Sequence, residues 1–464
     1  MHKKSLFDEF QEVSSKAWKQ KIQYDLKGAD YNEELVWESP EGIKVKPFYH
    51  RDDLIEADHS TLQFATSWKL AQRIFVLHAA SANKKAKHLL KNGVESLIFT
   101  ISSEKIKIEE LLSGLHRDSL NLHFQFQFLS VSYIERLRDY LVGSNISYHL
   151  NIDPIGNLSR TGNWFSNNYE DLKRLEEILS LTQGQDNLTI LSIDLSLYQN
   201  AGANMVQQLA YALAHGNEYL NRYSVHLSKP PVFKVAVGSN YFFEIAKIRA
   251  LRRLWQVLAK EYGIDQNCHI LVSPSKRNKT LYGYNTNMLR TTTECMCAIL
   301  GGADTVCNLP YDHMFHRDNE FAERIARNQL LVLKNESHFD AIEDPTKGSY
   351  YIETLTEQLS EKALQLFKNI EIKGGFLQQL KNHTIQRKIK ESAQKEQQKF
   401  DLGQEVLVGT NSYETSLDQM KNALELYPFL KMNQRKTAIE PIIEMRLAER
   451  NEKRRLILEG WQGN

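Results

Sequence analysis

Few groups of residues in this chain have the types and spacing that chemistry needs, and each also has a purely structural explanation. His313-x-x-His316-x-Asp318 is spaced like a metal motif. Two histidines on a connecting loop supply no third ligand at a suitable distance, and Asp318 is placed to cap a helix running from Phe321 to Leu333. Asp194 and His78 end predicted strands, where barrel enzymes keep their catalytic groups. Lys247, Arg249, Arg252 and Arg253 crowd one predicted helix, as a phosphate-binding face or as members of salt bridges; we favour salt bridges. Glu294 beside Arg290 reads as a pair one helical turn apart. Gly301-Gly302 ends a helix without starting one, so it is a turn and not a phosphate cradle. Cys268, Cys295, Cys297 and Cys307 read as buried, reduced thiols, neither disulfide-bonded nor zinc-bound.

The elements that must position these residues alternate from about Gln72 to Arg327. Strand-like runs are Arg73–His78, Ser96–Ile101, Leu122–Phe128, Ile146–Ile152, Leu188–Asp194, Val232–Val237, His269–Ser273 and Asp304–Leu309. Amphipathic segments such as Ser81–Asn92, Val131–Leu141, Asn204–Arg222 and Tyr241–Tyr262 separate them. Gly93, Gly143, Gly263 and Gly302 stand where helices end before strands begin. Strands with helical crossovers over this length predict a (β/α)8 TIM barrel at 67–343, with a doubly wound open sheet as the alternative. Residues 1–66 read as an arm with a short helix around Phe10–Leu26, and 344–464 as a charged, helical region whose last helix covers about Ala438–Gly460.

Within the strands, Phe124, Phe126 and Phe128 share one face while His123, Gln125 and Gln127 share the other. Tyr148 and Leu150 likewise oppose His149 and Asn151. The apolar face should meet the helices, which turns the polar set inward; a different strand register is the alternative. Gln125, Gln127, His149, Asn151 and Lys234 are then expected to form a mutually hydrogen-bonded plug that closes the barrel axis.

Composition excludes several classes. Fifty-eight Lys and Arg against 57 Asp and Glu leave +1, without the basic excess of a nucleic-acid binder. No apolar run approaches the ~18–20 residues of a membrane span, and no apolar run follows the first lysines as in a secretory signal. These features predict a cytoplasmic protein with neither membrane nor nucleic acid as partner.

Three segments carry a resemblance. The first is Trp18-Lys-Gln-Lys-Ile-Gln-Tyr-Asp-Leu-Lys-Gly-Ala-Asp-Tyr31 with the following Leu35–Tyr49. The second is Ala236–Trp255. The third runs from Asn287-Met-Leu-Arg-Thr-Thr-Thr-Glu294 through Gly301–Asp304 and Phe321–Asn328 to Asp344–Tyr350. Together they resemble the methylmalonyl-CoA mutase family over almost the whole chain, and the first segment is similar to the small subunit of its heterodimeric members. The resemblance implies adenosylcobalamin-dependent isomerisation of methylmalonyl-CoA and succinyl-CoA in propionate metabolism, with substrate threaded along the barrel axis and cobalamin on a separate flavodoxin-like domain.

The chain departs from the family's active pattern at three points. It lacks the cobalt-ligating Asp-x-His-x-x-Gly motif, so no cobalamin-binding flavodoxin-like domain is expected. Ser60–Trp68 and Gln72-Arg73 replace an Arg-Gln-Tyr-Ala-Gly-Phe-like stretch without its tyrosine. Val272-Ser-Pro-Ser-Lys-Arg-Asn-Lys-Thr-Leu-Tyr282 replaces an Arg-Thr-His-x-Gln-Thr stretch without its histidine. The expectation is therefore a structural subunit with no catalytic, cofactor-binding or metal-binding residues of its own. It would pair with a larger catalytic subunit that carries adenosylcobalamin. The rival is a competent acyl-CoA mutase barrel using cobalamin carried on a separate protein. Trp18, Tyr24, Tyr31, Trp37, Phe48 and Tyr49 in the arm are expected to meet the partner; the alternative is that the arm folds back on its own barrel.

Overall fold

Period-two alternation in the central strands is satisfied by closing them into a ring, one face inside and the other under helices. The computed structural model describes residues 9–10, 13–53, 67–115, 120–227, 229–415, 417–430 and 435–462. A short antiparallel hairpin, β1 (Trp37–Glu38) and β2 (Lys44–Val45), precedes the barrel. The barrel strands are β3 (Lys69–Val76), β4 (Ser96–Ile101), β5 (Asn121–Phe126), β6 (Ser147–Ile152), β7 (Leu188–Asp194), β8 (Val232–Val237), β9 (His269–Pro274) and β10 (Thr305–Cys307). All pair in parallel, and β10 closes the ring by pairing with both β9 and β3. This is the expected (β/α)8 barrel, and no flavodoxin-like sheet occurs among the described residues.

The first strand differs from its prediction: it starts at Lys69 and stops at Val76. Pairing with β10, Thr305 opposite Lys69, extends it backwards, and His78 instead precedes the Ala79–Lys91 helix. Gln127 also departs from its reading, since it is exposed and lies past the end of β5.

The outward faces build the main core. Phe99 and Phe124 stack there with ring centres 5.9 Å apart, and Tyr148, Leu150 and Ile193 join the same cluster. Inside, a separate apolar cluster of Ala71, Ile98, Val232, Leu271 and Cys307 crosses the ring, each residue at most 4% exposed. The inward face is thus polar towards both ends and apolar in the middle. The predicted hydrogen-bonded plug is replaced: Gln125 and Lys234 line the upper cavity, while His149 lies below the apolar layer. In β6 the register slips between His149 and Ile152, where Asn151 adopts φ +46°. Asparagine tolerates that left-handed backbone better than most residues.

The terminal helices are shorter than predicted. The arm helix is Ser15–Asp25, started by the Ser14 hydroxyl, which accepts the Ala17 N–H at 3.2 Å. The last helix is only Glu449–Leu458. Residues 438–447 stay irregular because several of their N–H groups are taken by carbonyls of the segments that follow the barrel strands: Ile442 donates to the Ser159 carbonyl, Met445 to Asn200 and Leu447 to Arg277. Gly162 permits this seating. Its φ is +77°, and a Cβ there would come within 2.6 Å of the Ile439 carbonyl oxygen.

Candidate functional site

The C-terminal ends of the strands, where barrel chemistry resides, open into a cavity of about 1050 Å³. Among the described residues, six basic side chains (Arg73, Arg160, Lys234, Lys276, Arg317 and Arg327) and four acidic ones line it, so an anion is the better-matched occupant. Asp194 ends β7 inside this cavity and caps the Leu195–Asn200 helix by accepting the Ser196 N–H at 3.1 Å. Burial works to raise its pKa, but Lys234 and Arg160 together hold the carboxyl well below the usual range. Arg160 approaches it to 2.6 Å and Lys234 to 3.1 Å. A carboxylate so paired is a poor general base. His78, the other strand-end candidate, is exposed and is not among the residues lining this cavity.

The loop after β9, which replaces the family's histidine-bearing stretch, is used to hold other parts of the chain. Arg277 binds Glu396 at 2.6 Å and the Met445 carbonyl at 2.8 Å. Arg446 donates to the Lys279 carbonyl at 3.0 Å. Lys279 meets Glu294 at 2.8 Å with both side chains 1% exposed, and Asn278 completes the carboxylate's bonds at 2.6 Å. Glu294 therefore pairs across the loop and not with Arg290, whose guanidinium instead reaches Thr280, Asn287 and the Val408 carbonyl. Of the second altered stretch, Ser60–Thr66 lies outside the described residues. Gln72 accepts from Arg327 and donates to Glu323, both at 3.1 Å.

The remaining candidates are accounted for by packing. Lys247 pairs with Glu244 at 2.5 Å and donates to Gln199, Gln208 and the Ala236 carbonyl. Arg249 binds Asp344 and Glu353, Arg252 binds Asp304, and Arg253 binds Glu357. The favoured salt bridges are what the helix builds. His316 bonds Asp312 at 3.0 Å, whereas His313 faces the upper cavity, where burial, Lys276 and Arg73 push it down to about 3. The helix cap is Asn319, accepting from Ala322, and not Asp318. Asn is as good a cap as Asp, and the helix begins one residue later than the aspartate requires. Gly301 and Gly302 form the turn that ends the Thr286–Leu300 helix. All four cysteines are free and buried, and burial raises Cys268 to about 12.

Sequence reasoning missed a buried chain of partners behind β6. Asp153 accepts from His215 at 2.9 Å and Tyr219 at 2.7 Å, and His215 meets Tyr198 at 3.1 Å. Asp153 also caps its own helix through Gly156, and that Asp-Pro helix start was the available signal. It also missed the N-terminal half of the interior, where His123, His149 and His269 converge. Their ring centres are 4.3, 4.5 and 5.3 Å apart. Below them a second cavity of about 330 Å³ opens, lined by His149, His269, Lys69, Asn121, Ser147 and Asp186 among others.

The arm divides. Tyr31 is buried, Trp37 packs edge-on to Phe243 at 5.8 Å, and Tyr49 lies 5.0 Å from Tyr351. Its extended part therefore covers its own chain. The Ser15–Asp25 helix buries none of its side chains, with Trp18 50% and Tyr24 80% exposed. No helix among the described residues is long and apolar enough to cross a membrane.

Comparison with known proteins follows the same lines as the motifs. The family model described as methylmalonyl-CoA mutase matches residues 142–463. The methylmalonyl-CoA mutase small subunit of Porphyromonas gingivalis is 34% identical over 448 residues, covering 89% of this chain and 71% of that one. The small subunit from Streptomyces virginiae is 29% identical over 452 residues, covering 88% and 72%. A methylmalonyl-CoA mutase from Cereibacter sphaeroides is 26% identical over 477 residues, covering 88% and 66%.

Proposed function

This chain belongs to the methylmalonyl-CoA mutase family, and from that membership we propose that it is a structural small subunit without an active site of its own. Its partner would be a larger catalytic subunit carrying adenosylcobalamin. The observation that carries this reading is the buried apolar cluster inside the barrel. Ala71, Ile98, Val232, Leu271 and Cys307 fill the ring between the two cavities, and three imidazoles sit beneath them. A slender acyl-CoA tail threaded along the barrel would have to displace this packed layer. The Arg277–Met445 and Arg446–Lys279 bonds support the same reading, because they tie the C-terminal segment to the strand ends.

The residues at the mouth do not suit a cobalt cofactor. Among the described residues, His313 is the one histidine lining the upper cavity, and the charges of Lys276 and Arg73 bear on it and oppose a metal cation. No chemical step is therefore assigned to this chain. For the complex, the isomerisation of methylmalonyl-CoA and succinyl-CoA would occur on the partner. The exposed Trp18 and Tyr24 are the arm residues best placed to meet it.

The test is an assay of the purified chain with methylmalonyl-CoA and adenosylcobalamin, alone and then with a separately supplied cobalamin-binding domain. No turnover is expected in either. Turnover in the second assay would establish the rival, a substrate-binding barrel served by cobalamin on another protein, which the size and positive lining of the upper cavity favour. In parallel, deleting residues 1–49 should weaken co-purification with the catalytic subunit; undiminished association would remove the arm from the interface.

A further inference from the structure

His123 on β5, His149 on β6 and His269 on β9 point into the same level of the barrel interior. One ring nitrogen from each can be chosen so that all three lie within 4.8 Å of one another. His123 and His149 stack nearly parallel, 15° apart, and none of their four ring nitrogens makes a well-formed hydrogen bond among the described residues, although the Asn151 side chain lies close enough to bear on His123. A buried polar group without a partner is destabilising, so two such rings give the barrel interior a reason to bind a ligand. Parallel rings cannot satisfy each other, because ring N–H donors and lone pairs both lie in the ring planes. The ligand must accept lone pairs from several directions at once.

We propose that His123, His149 and His269 form a three-histidine site for a divalent transition ion of the zinc class, entered from the N-terminal face of the barrel. Three neutral imidazoles with an open fourth position are a recurring zinc donor set. Burial, followed by the mutual proximity of the rings, holds all three pKa values well below the free histidine value, which keeps the lone pairs available. Ligand nitrogens around tetrahedral zinc stand about 3.3 Å apart when the metal–nitrogen distance is about 2.0–2.1 Å. Ring rotations would have to turn the stacked His123 and His149 planes towards a common point and bring the nitrogens inward by roughly 1 Å to meet that geometry.

The outer partners that a metal-bound histidine needs for its second nitrogen are present. His269 Nε2 already lies 3.1 Å from the Thr305 hydroxyl. Asn121 and Asn151 carry buried side-chain oxygens two residues from His123 and His149 on the same strands; neither oxygen makes a well-formed bond, and that of Asn151 already bears on His123. These oxygens can accept the N–H bonds once the other nitrogens are occupied by metal. The lower cavity supplies both a path and room for a water or small anion at the fourth position. Lys69 and Lys229 also line it; their charge opposes the cation and favours an anionic fourth ligand.

The full-length chain, stripped with chelator, should be titrated with Co²⁺ and then displaced with Zn²⁺. The expected result is one equivalent of cobalt with tetrahedral visible bands, displaced by one equivalent of zinc. X-ray absorption of the zinc form should show a shell of three imidazoles. His149→Leu and His269→Leu should each weaken binding by at least about 100-fold, and Thr305→Val by about 10-fold. His313→Leu and His78→Leu should leave it unchanged. The wild-type spectrum decides the matter even if the interior variants fail to fold. Absence of stoichiometric cobalt, a shell with fewer than three imidazoles, or binding that survives both interior substitutions in folded protein would overturn the site.

Discussion

The two ends of this barrel treat buried polar groups in opposite ways. At the C-terminal mouth, Asp194 is met by Arg160, Lys234 and Ser196, and behind it Lys279, Glu294 and Asn278 complete one another. At the N-terminal end, His123, His149, Ser96 and the Asn121 side-chain oxygen carry no partner among the described residues. The end that hosts chemistry in other barrels here pairs its buried carboxylates with cations, while the end that normally serves stability holds donors and acceptors without partners among the described residues. Self-satisfaction favours one rigid structure, whereas unsatisfied groups mark a place where something else can bind.

The sharpest way to break this comparison is to remove one partner at the satisfied end. Lys279→Met leaves the Glu294 carboxylate buried and unpaired, and should cost about 3–5 kcal/mol in urea unfolding. Adding Glu294→Leu should recover most of that loss, since an apolar replacement of a whole buried pair is often near neutral. A single-variant loss below about 1 kcal/mol would mean that the pair is not dry. Asp194→Ala should cost less, about 1–3 kcal/mol, because Arg160 is half exposed and water can take over part of its solvation. Its folded pKa is lowered, so its contribution is present above the unfolded value of 3.8 and is lost as pH falls below it. The stability gap between wild type and Asp194→Asn should therefore narrow in acid, as measured by denaturant titration at several pH values.

At the unsatisfied end the expected sign reverses. In metal-free protein, His123→Leu should be neutral or stabilising by up to about 1 kcal/mol, since it removes donors and acceptors that have no partner. A clear loss of stability would show that these rings are bonded after all. The smallest effect at neutral pH concerns His313. Its pKa is lowered to about 3, so the unfolded chain takes up a proton first as pH falls below 6.5. Its share of stability is full above 6.5 and is lost progressively towards 3. His313→Asn should flatten the decline of thermal midpoint over that window and leave the neutral-pH value nearly unchanged.

Much of the fold was legible because it is written locally. Short apolar runs marked each barrel strand, several of them alternating, and glycines at 93, 143, 263 and 302 take the positive φ expected after helices. Misplaced boundaries share one cause. Lys69–Arg73 extends its strand because β10 is beside it, and residues 438–447 forgo a helix because the segments that follow the barrel strands supply carbonyls for several of their N–H groups. The site was less legible. Glu294 was assigned the helical neighbour Arg290, the nearest cation in sequence, yet Lys279 from the facing loop takes it in the dry interior.

What the sequence by itself determined is the number and order of the strands, the identity of the helix-facing side chains, and the family. These depend on periodicities and motifs contained within short segments. Only the tertiary structure decided which inward residues meet. The stagger of a closed barrel brings to one level positions from strands far apart in the chain. His123 and His149 pair directly in register, but His269 reaches them from across the ring. A single-residue slip on any of these strands would turn its histidine towards the helices. The level at which side chains meet is a property of the ring as a whole, and no one segment encodes it.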